Sequence, residues 1–376
     1  MSATPQPRRD IRRRSCLVLV ALALLAPTAC GYGSQRARGS GAAAVAPGSR
    51  KLSADTVRIG YFPNLTHMTA LAGEQEGFFQ KELGGTKAEY VAFDAGPTEI
   101  EALNAGSVDI GWIGPSPAIN GYTRSGGKSL RIVSGSASGG VKLVVNPKKI
   151  KSLEDVKAKR IATPQLGNTQ DVAFLNWIAD QGWKVDAQSG KGDVSVVRTD
   201  NKITPDAYKA GSIDGAWVPE PTASKLVSEG ASVLLDEADL WPGRKFVITQ
   251  VVVSQRFLKE HADVVEAVLR GSVRTNAWIR SHPAEAKLAV NRALGSAGGR
   301  PLPRAVLDRA WSSVELLDDP LAATLREEAA HAVRTGLLEH PDLNGIYDLR
   351  PLDRVLRDLG RPAVSDAGLG IGQEAR

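Results

Sequence analysis

Residues 105–115 read AGSVDIGWIGP and residues 210–220 read AGSIDGAWVPE, so Gly106/Gly211, Asp109/Asp214 and Trp112/Trp217 are related by one offset of 105 residues. Each copy follows a helix-compatible run, closes it at the glycine, turns through Ser-Val/Ile-Asp and enters a short apolar strand. The strand must stop at Gly114-Pro115 or Pro219-Glu220-Pro221, because proline has no N–H for a ladder and restricts the residue before it. New helices can start behind each stop, at 116–122 and 222–228. Two βα units in equivalent places imply two similar α/β lobes. In open α/β sheets ligands sit beyond the carboxyl ends of strands, at helix N-termini, so both copies point at a binding site.

Outward from the echo the chain alternates strand and helix. Residues 57–62 (VRIGYF) read as a strand ending at Pro63-Asn64, and Thr66 caps a helix to Glu76. Strands at 90–93, 108–113, 130–134 and 141–145, with a helix opened by Gly96-Pro97-Thr98, make lobe 1. Strands at 160–163, 194–197 and 233–235, the second echo, and the helix after Gly167-Asn168-Thr169-Gln170 make lobe 2. The run FVITQVVV at 246–253 fits a buried strand crossing back into lobe 1, and helical text follows. Crossings near Val145 and near Arg244 predict a two-stranded hinge. The expected order is a signal segment at 1–29, a flexible tether at 30–53, lobe 1 from 54–146 and 246–361 with the C-terminal helices, lobe 2 from 147–245, and a tail at 362–376.

The chain has 376 residues, 42% hydrophobic and 23% charged, which suits a soluble protein of two ordinary domains. Its formal charge of +6 owes much to five arginines between positions 8 and 14 against Asp10. The remainder carries no long basic run, which argues against a nucleic-acid partner. A basic start, an apolar segment at 16–26 too short to span a bilayer, and small residues around Ala29 read as an export signal. Cys30 behind a small residue resembles the lipobox of bacterial lipoproteins, although Pro27 stands where leucine is usual. That resemblance implies a lipid on Cys30 holding the mature chain to the extracytoplasmic face of the cell membrane; a plain cleavable signal is the alternative, and Arg13-Arg14 fits twin-arginine export. Cys16 falls within the signal, leaving no cysteine pair for a disulfide or metal site. His67, His261, His282, His331 and His340 lack metal-ligand spacing, so no metal or cofactor is expected.

IGYFPN at 59–64, EGFF at 76–79, GPTEIEALNAGSVDIGWIGPSP at 96–117, GNTQ at 167–170 and DGAWVPEP at 214–221 together resemble the nitrate/sulfonate/taurine family of ABC-transporter substrate-binding proteins, related to the thiamine-pyrimidine binders. The resemblance covers roughly residues 57–278. It implies a type II periplasmic-binding-protein fold, a small anionic or zwitterionic ligand between the lobes, most readily an aliphatic sulfonate or taurine-like compound, and a monomer that delivers it to an ABC permease and its ATPase. Carried over motif by motif, the ligand contacts are Asn64, Gly96, Pro97, Ser116, Gly167, Asn168, Thr169, Trp217 and Glu220. An enzyme of the same fold, or a binder of a pyrimidine or aromatic acid, is the alternative.

The chemistry of these positions fits an anion. Helix N-termini carry partial positive charge worth ~0.3–1 kcal/mol each to an anion, so several must converge, and helix starts follow Pro97, Pro115 and Gly167. No arginine lies in these loops, which favours neutral donors. Glu220 would repel a bare anion but accept from an ammonium at the far end of a zwitterion; it could equally be a first-turn glutamate complementing its helix dipole. Trp112 and Trp217 could wall an alkyl chain or belong to the core.

Overall fold

The computed structural model describes residues 51–297 and 300–372. The signal segment, Cys30 and the tether as far as residue 50 lie outside the described residues. The chain first lays down β1 (Thr56–Tyr61), α1 (Met68–Gln75), α2 (Phe78–Leu83), β2 (Lys87–Ala92), α3 (Gly96–Asn104), β3 (Ile110–Ile113), α4 (Pro115–Arg124) and β4 (Leu130–Gly139). It continues through β5 (Val141–Val145), β6 (Arg160–Thr163), α5 (Thr169–Asp180), β7 (Ser195–Arg198), α6 (Thr204–Lys209), β8 (Gly215–Pro219), α7 (Thr222–Ser228) and β9 (Ser232–Asp236). Then come β10 (Val247–Ser254), α8 (Gln255–Glu260), α9 (Ala262–Ser281), α10 (Pro283–Ser296), α11 (Arg304–Trp311), β11 (Val314–Leu316), α12 (Ala322–Arg334) and α13 (Arg350–Asp358).

Two sheets result, ordered β11-β4-β10-β3-β1-β2 and β7-β6-β8-β5-β9. In each, the echo strand (β3 or β8) runs parallel to an earlier strand of its lobe and antiparallel to a strand that arrives by a crossing (β10 or β5). This corrects the expected boundary: residues 141–145 belong to lobe 2, pairing with β8 and β9, and the first crossing is at Gly139-Gly140 rather than Val145. Both glycines have φ near +75° (76° and 74°), and a Cβ on Gly139 would stand 2.7 Å from the Ser313 carbonyl oxygen. Only glycine turns the chain there without strain. An apolar run such as VKLVV cannot announce which of two sheets it will enter.

The echo is one structural device made twice. At the start of β3, the Asp109 carboxylate accepts from the Arg58 backbone N–H and from its guanidinium (2.9 and 2.8 Å), and Arg58 also donates to the Gly106 carbonyl. At the start of β8, Asp214 accepts from the Arg160 N–H (3.0 Å) and guanidinium, Arg160 donates to the Gly211 carbonyl (2.7 Å), and Lys149 adds a third partner at 2.6 Å. Each aspartate thereby clamps its strand to the parallel neighbour at the end remote from the helix N-terminus.

Three further expectations change. Within the helical text expected after residue 253, α11 stops at Trp311 and residues 314–316 become the edge strand β11. The last tether residues are fixed: Leu52 packs on the core, and the Ser53 N–H donates to Asp263 at 2.9 Å. The expected tail is part of the fold as far as residue 372, with Leu369 only 1% exposed and the Ile371 N–H donating to the Tyr347 carbonyl at 3.0 Å. Arg361, ahead of it, pairs with buried Asp318 at 2.6 Å. Burial of Leu369 is reason enough for ordering, at ~1.5–3 kcal/mol for such a side chain.

Candidate functional site

The carboxyl ends of strands from both lobes meet at a cleft lined by Asn64, Thr66, His67, Gly114, Asn168, Thr169, Gln170, Asn201, Pro219 and Ile248. The lobes approach closely. The Leu65 N–H donates to the Glu220 carbonyl across the gap at 2.9 Å, and a Cβ on Gly114 would lie 2.3 Å from Thr169 Oγ1. A Cβ on Gly96 would lie 3.3 Å from Asn168 Oδ1, and Lys202 of lobe 2 pairs with Asp94 of lobe 1 at the mouth. The remaining cavity is about 20 Å³, room for roughly one water. A ligand with several heavy atoms requires the lobes to part.

Polar groups in this cleft are prepared rather than paired. Thr169 Oγ1, on the first residue of α5, belongs to the lining, and Ser116 Oγ, on the second residue of α4, lies two positions beyond the lining residue Gly114; the two residues are 2% and 4% exposed, and neither oxygen has a hydrogen-bond partner among the described residues. Buried polar atoms are normally satisfied, and leaving one without a partner costs ~1–3 kcal/mol. Prolines at 115 and 117 remove two donors from the first turn of α4, leaving the Ser116 N–H among its opening donors. Asn64 Oδ1 accepts from Thr66 Oγ1 at 2.7 Å, which turns the Asn64 amide NH2 outward as a donor.

Two buried residues hold this loop set in place. Asp171, fully buried, accepts from Thr163 Oγ1 (2.7 Å), the Gly167 N–H (3.1 Å) and the Arg198 guanidinium (3.0 Å), fixing the turn that enters α5. His67 is stacked on Phe62 with centroids 4.4 Å apart, and its Nδ1 accepts the Phe62 N–H at 3.2 Å. Burial pushes its pKa down to about 3, so the ring is neutral and Nε2 carries the proton. His67 is thus a fixed donor lining the cleft, which its isolated position in the sequence did not reveal.

Of the positions carried over by motif, Asn64, Asn168 and Thr169 line the cleft, with Gly96 facing Asn168. Pro97 sits half-buried in the first turn of α3, and the Gly167 N–H is already bound to Asp171. The side chains of Trp217 and Glu220 are turned elsewhere. Trp217 is fully buried under β8, against Phe174 (5.4 Å) and Trp177 (6.1 Å), and its indole donates to Glu237 at 2.6 Å. Strand alternation turns it into the lobe core rather than toward the cleft. The Glu220 carboxylate folds back on α7, accepting from the Ser224 N–H (2.9 Å) and hydroxyl (3.1 Å). Burial pushes its pKa up, and those two bonds restrain the shift. The first-turn reading of Glu220 is the one the geometry fits. Thr66, Gln170 and Asn201 were missed, although Asn201 follows the carboxyl end of β7, where the same topological rule would have placed it.

The class defined by this architecture is the two-lobe α/β fold of periplasmic solute-binding proteins. Its structure resembles the alkanesulfonate-binding protein SsuA from Xanthomonas axonopodis pv. citri, with a TM-score of 0.63 and 23% identity over 76% of this chain and 95% of that one. It also resembles the nitrate-binding protein NrtA from Synechocystis PCC 6803, with a TM-score of 0.62 and 17% identity over 77% and 83% of the two chains. The sequence profile of the NMT1-like family matches residues 50–294, and the chain belongs to that family. Among curated relatives, a Brucella abortus (strain 2308) protein named as a binding protein is 29% identical over 57% of this chain and 63% of its own length. The taurine-binding periplasmic protein of Escherichia coli (strain K12) is 28% identical over 54% and 61%. The chain therefore spans a little under two thirds of the length of these curated relatives.

Proposed function

We propose that the protein is the extracytoplasmic solute-binding component of an ABC importer, capturing a small organic oxyanion between its lobes and passing it to a membrane permease. The observation that carries this reading is the unpartnered hydroxyl of Thr169, buried at a helix start that lines the interlobe cleft, with that of Ser116 buried at the helix start two residues beyond the lining residue Gly114. Asn64 and the neutral His67 add donors, and helix N-termini supply the positive potential without a charged side chain. An aliphatic sulfonate or a taurine-like compound matches three oxygens to such donors. The names of the sulfonate- and taurine-binding relatives support that choice. A pyrimidine is less well matched, since Trp112 and Trp217, the large rings nearest the echo strands in sequence, are both in lobe cores.

The lobes close by population shift: a ligand that touches both favours the closed arrangement by its differential affinity for the two states. Delivery from the membrane surface follows if Cys30 is lipidated, and the mature protein acts as a monomer without cofactor or catalysis. The test is a thermal-shift series with taurine, butanesulfonate, nitrate and a hydroxymethylpyrimidine. A ligand at about 100 times its dissociation constant stabilises by ~2.7 kcal/mol. Stabilisation by the sulfonates, lost together in Ser116→Ala/Thr169→Val, is expected. Stabilisation by the pyrimidine alone, or by none of the four at millimolar concentration, overturns the oxyanion reading.

A further inference from the structure

A second interlobe cavity, of about 580 Å³, lies between α5, the segment after β9 and α12. Its buried chemistry is the reverse of the cleft's. Glu237, 1% exposed, accepts from Trp217 Nε1 through Oε2 and leaves Oε1 without a partner. Behind this lining, Glu328 on α12 is fully buried with both carboxyl oxygens unpartnered among the described residues, and it feels the charge of Glu237. Asn176 on α5 donates its NH2 to Asp180 at 3.1 Å, and its Oδ1 is free. His331 on α12 is kept neutral by burial; with Nε2 facing Glu327 at 3.2 Å, its Nδ1 presents an unpartnered lone pair. Trp241, stacked on Phe246 at 5.3 Å, forms an aromatic wall beside His331.

Three unpartnered atoms belong to the lining, a Glu237 carboxyl oxygen, the Asn176 amide oxygen and an imidazole nitrogen of His331, with the two Glu328 oxygens behind them; all are acceptors when the carboxyls are ionised. What complements them is a group with several N–H donors and a positive charge, small enough to lie against an indole face. We propose that this cavity is a second binding site, for a small organic cation carrying an ammonium or guanidinium group, held by Glu237 and Asn176 of lobe 2 and by His331 of α12, with the Glu328 carboxyl behind them adding negative charge. Arg334, paired with Asp180 at the rim, and Lys245, paired with Glu315, already have anionic partners. They leave the inner carboxyls to the guest.

Burial pushes the Glu237 carboxyl up to about 7 and the Glu328 carboxyl well above its ordinary range, so protons compete for the pair when no cation is present. Glu237 faces Glu328, Glu327 and His331 on α12, Asn176 and Asp180 on α5, and Asp236 on its own segment. A bound cation favours the ionised carboxyls and displaces protons, so its affinity rises from pH 6 to pH 8.

The experiment is isothermal titration of the full mature chain with agmatine and with n-butylammonium, using 1-butanol as the neutral control, at constant ionic strength and in two buffers of different ionisation heat. Saturable binding of either cation, release of protons, no binding of butanol and at least tenfold weaker binding in both Glu237→Gln and Glu328→Gln are expected, tenfold being about 1.4 kcal/mol. Each glutamine keeps the shape of the glutamate it replaces, and far-UV circular dichroism with the unfolding midpoint verifies that each variant folds. Absence of saturable binding at about 10 mM cation, a range that detects even weak complexes, overturns the proposal. So does affinity equal to that of the parent chain in both variants, or butanol binding as well as butylammonium.

Discussion

The two copies of the echo share a scaffold and differ in what they deliver. Both begin with an aspartate clamped by an arginine of the neighbouring parallel strand, Arg58 to Asp109 and Arg160 to Asp214. Both carry a fully buried tryptophan in mid-strand. At the far end they part. The first copy runs through Gly114 into α4 and leaves the Ser116 hydroxyl unpartnered near the cleft, whereas the second turns at Pro219-Glu220 and binds its polar side chain to its own helix. The start of a repeated strand is thus a structural fixture, and function enters only at its exit.

The largest test of that contrast is at the shared start. Removing one member of a buried ion pair costs ~3–5 kcal/mol, and the half-exposed arginines here reduce this to about 2–3 kcal/mol. Asp109→Ala and Asp214→Ala should each lower the unfolding free energy, read from denaturant titration, by that amount without changing ligand affinity. Hydrogen bonds from Arg160 and Lys149 hold the Asp214 carboxyl well below the usual range against the opposing effect of burial. A depressed carboxylate stabilises above its unfolded pKa and loses that contribution as pH falls through the folded value, so the stability gap between parent and Asp214→Asn should narrow in acid. A gap that widens in acid would break the equivalence of the two clamps.

A smaller difference is expected between the tryptophans. Trp217→Phe strands Glu237 Oε2 without its donor, a cost of ~1–3 kcal/mol, whereas Trp112 Nε1 has no partner and Trp112→Phe loses only packing, under ~1.5 kcal/mol. Calorimetric unfolding of both variants decides the order. A sulfonate affinity that collapses in Trp217→Phe while stability holds would return Trp217 to the cleft.

At the exits, Ser116→Ala should weaken a sulfonate several-fold, ~0.5–1.5 kcal/mol, with stability nearly unchanged. Glu220→Gln should do the opposite: it disturbs the start of α7, and taurine and butanesulfonate respond alike. A loss confined to taurine would show that the carboxylate meets an ammonium after all.

The finest effect is on pH. His67 stays neutral down to about 3, so its part in ligand affinity should be flat between pH 5 and 8. Unfolded histidine gains a proton below about 6.5, so the stability linked to this burial is present above that pH and falls as the solution is acidified. Titrations of the parent chain and His67→Gln at several pH values separate the two; an affinity that rises as pH falls through 6 would mean that the imidazolium, not the neutral ring, meets the ligand.

Most of the architecture was legible because it rests on local signals. Proline and glycine mark the ends of β3 and β8, apolar runs mark the strands, and the 105-residue echo reveals that there are two lobes. The cleft was legible to the same depth: Asn64, Ser116, Asn168 and Thr169 follow strand ends or open helices, and helix starts declare themselves in sequence. Thr66 and His67 carry no such mark, because nothing local distinguishes a hydroxyl or imidazole that faces a cleft from one that faces solvent, whereas Asn201 follows a strand end and falls under the rule that places ligands there.

Sequence alone therefore determined the doubled βα unit, the order of strands and helices, and the polarity of the donor loops, all set by turn chemistry and residue period over a few positions. Tertiary structure alone decided that 141–145 joins lobe 2, that Trp217 turns to Glu237, that Glu220 caps α7, and that Glu237 and Glu328, 91 positions apart, share one buried region. Strand partners and side-chain burial depend on contacts between distant segments, and a glutamate carries no mark of the neighbour that will take it from water.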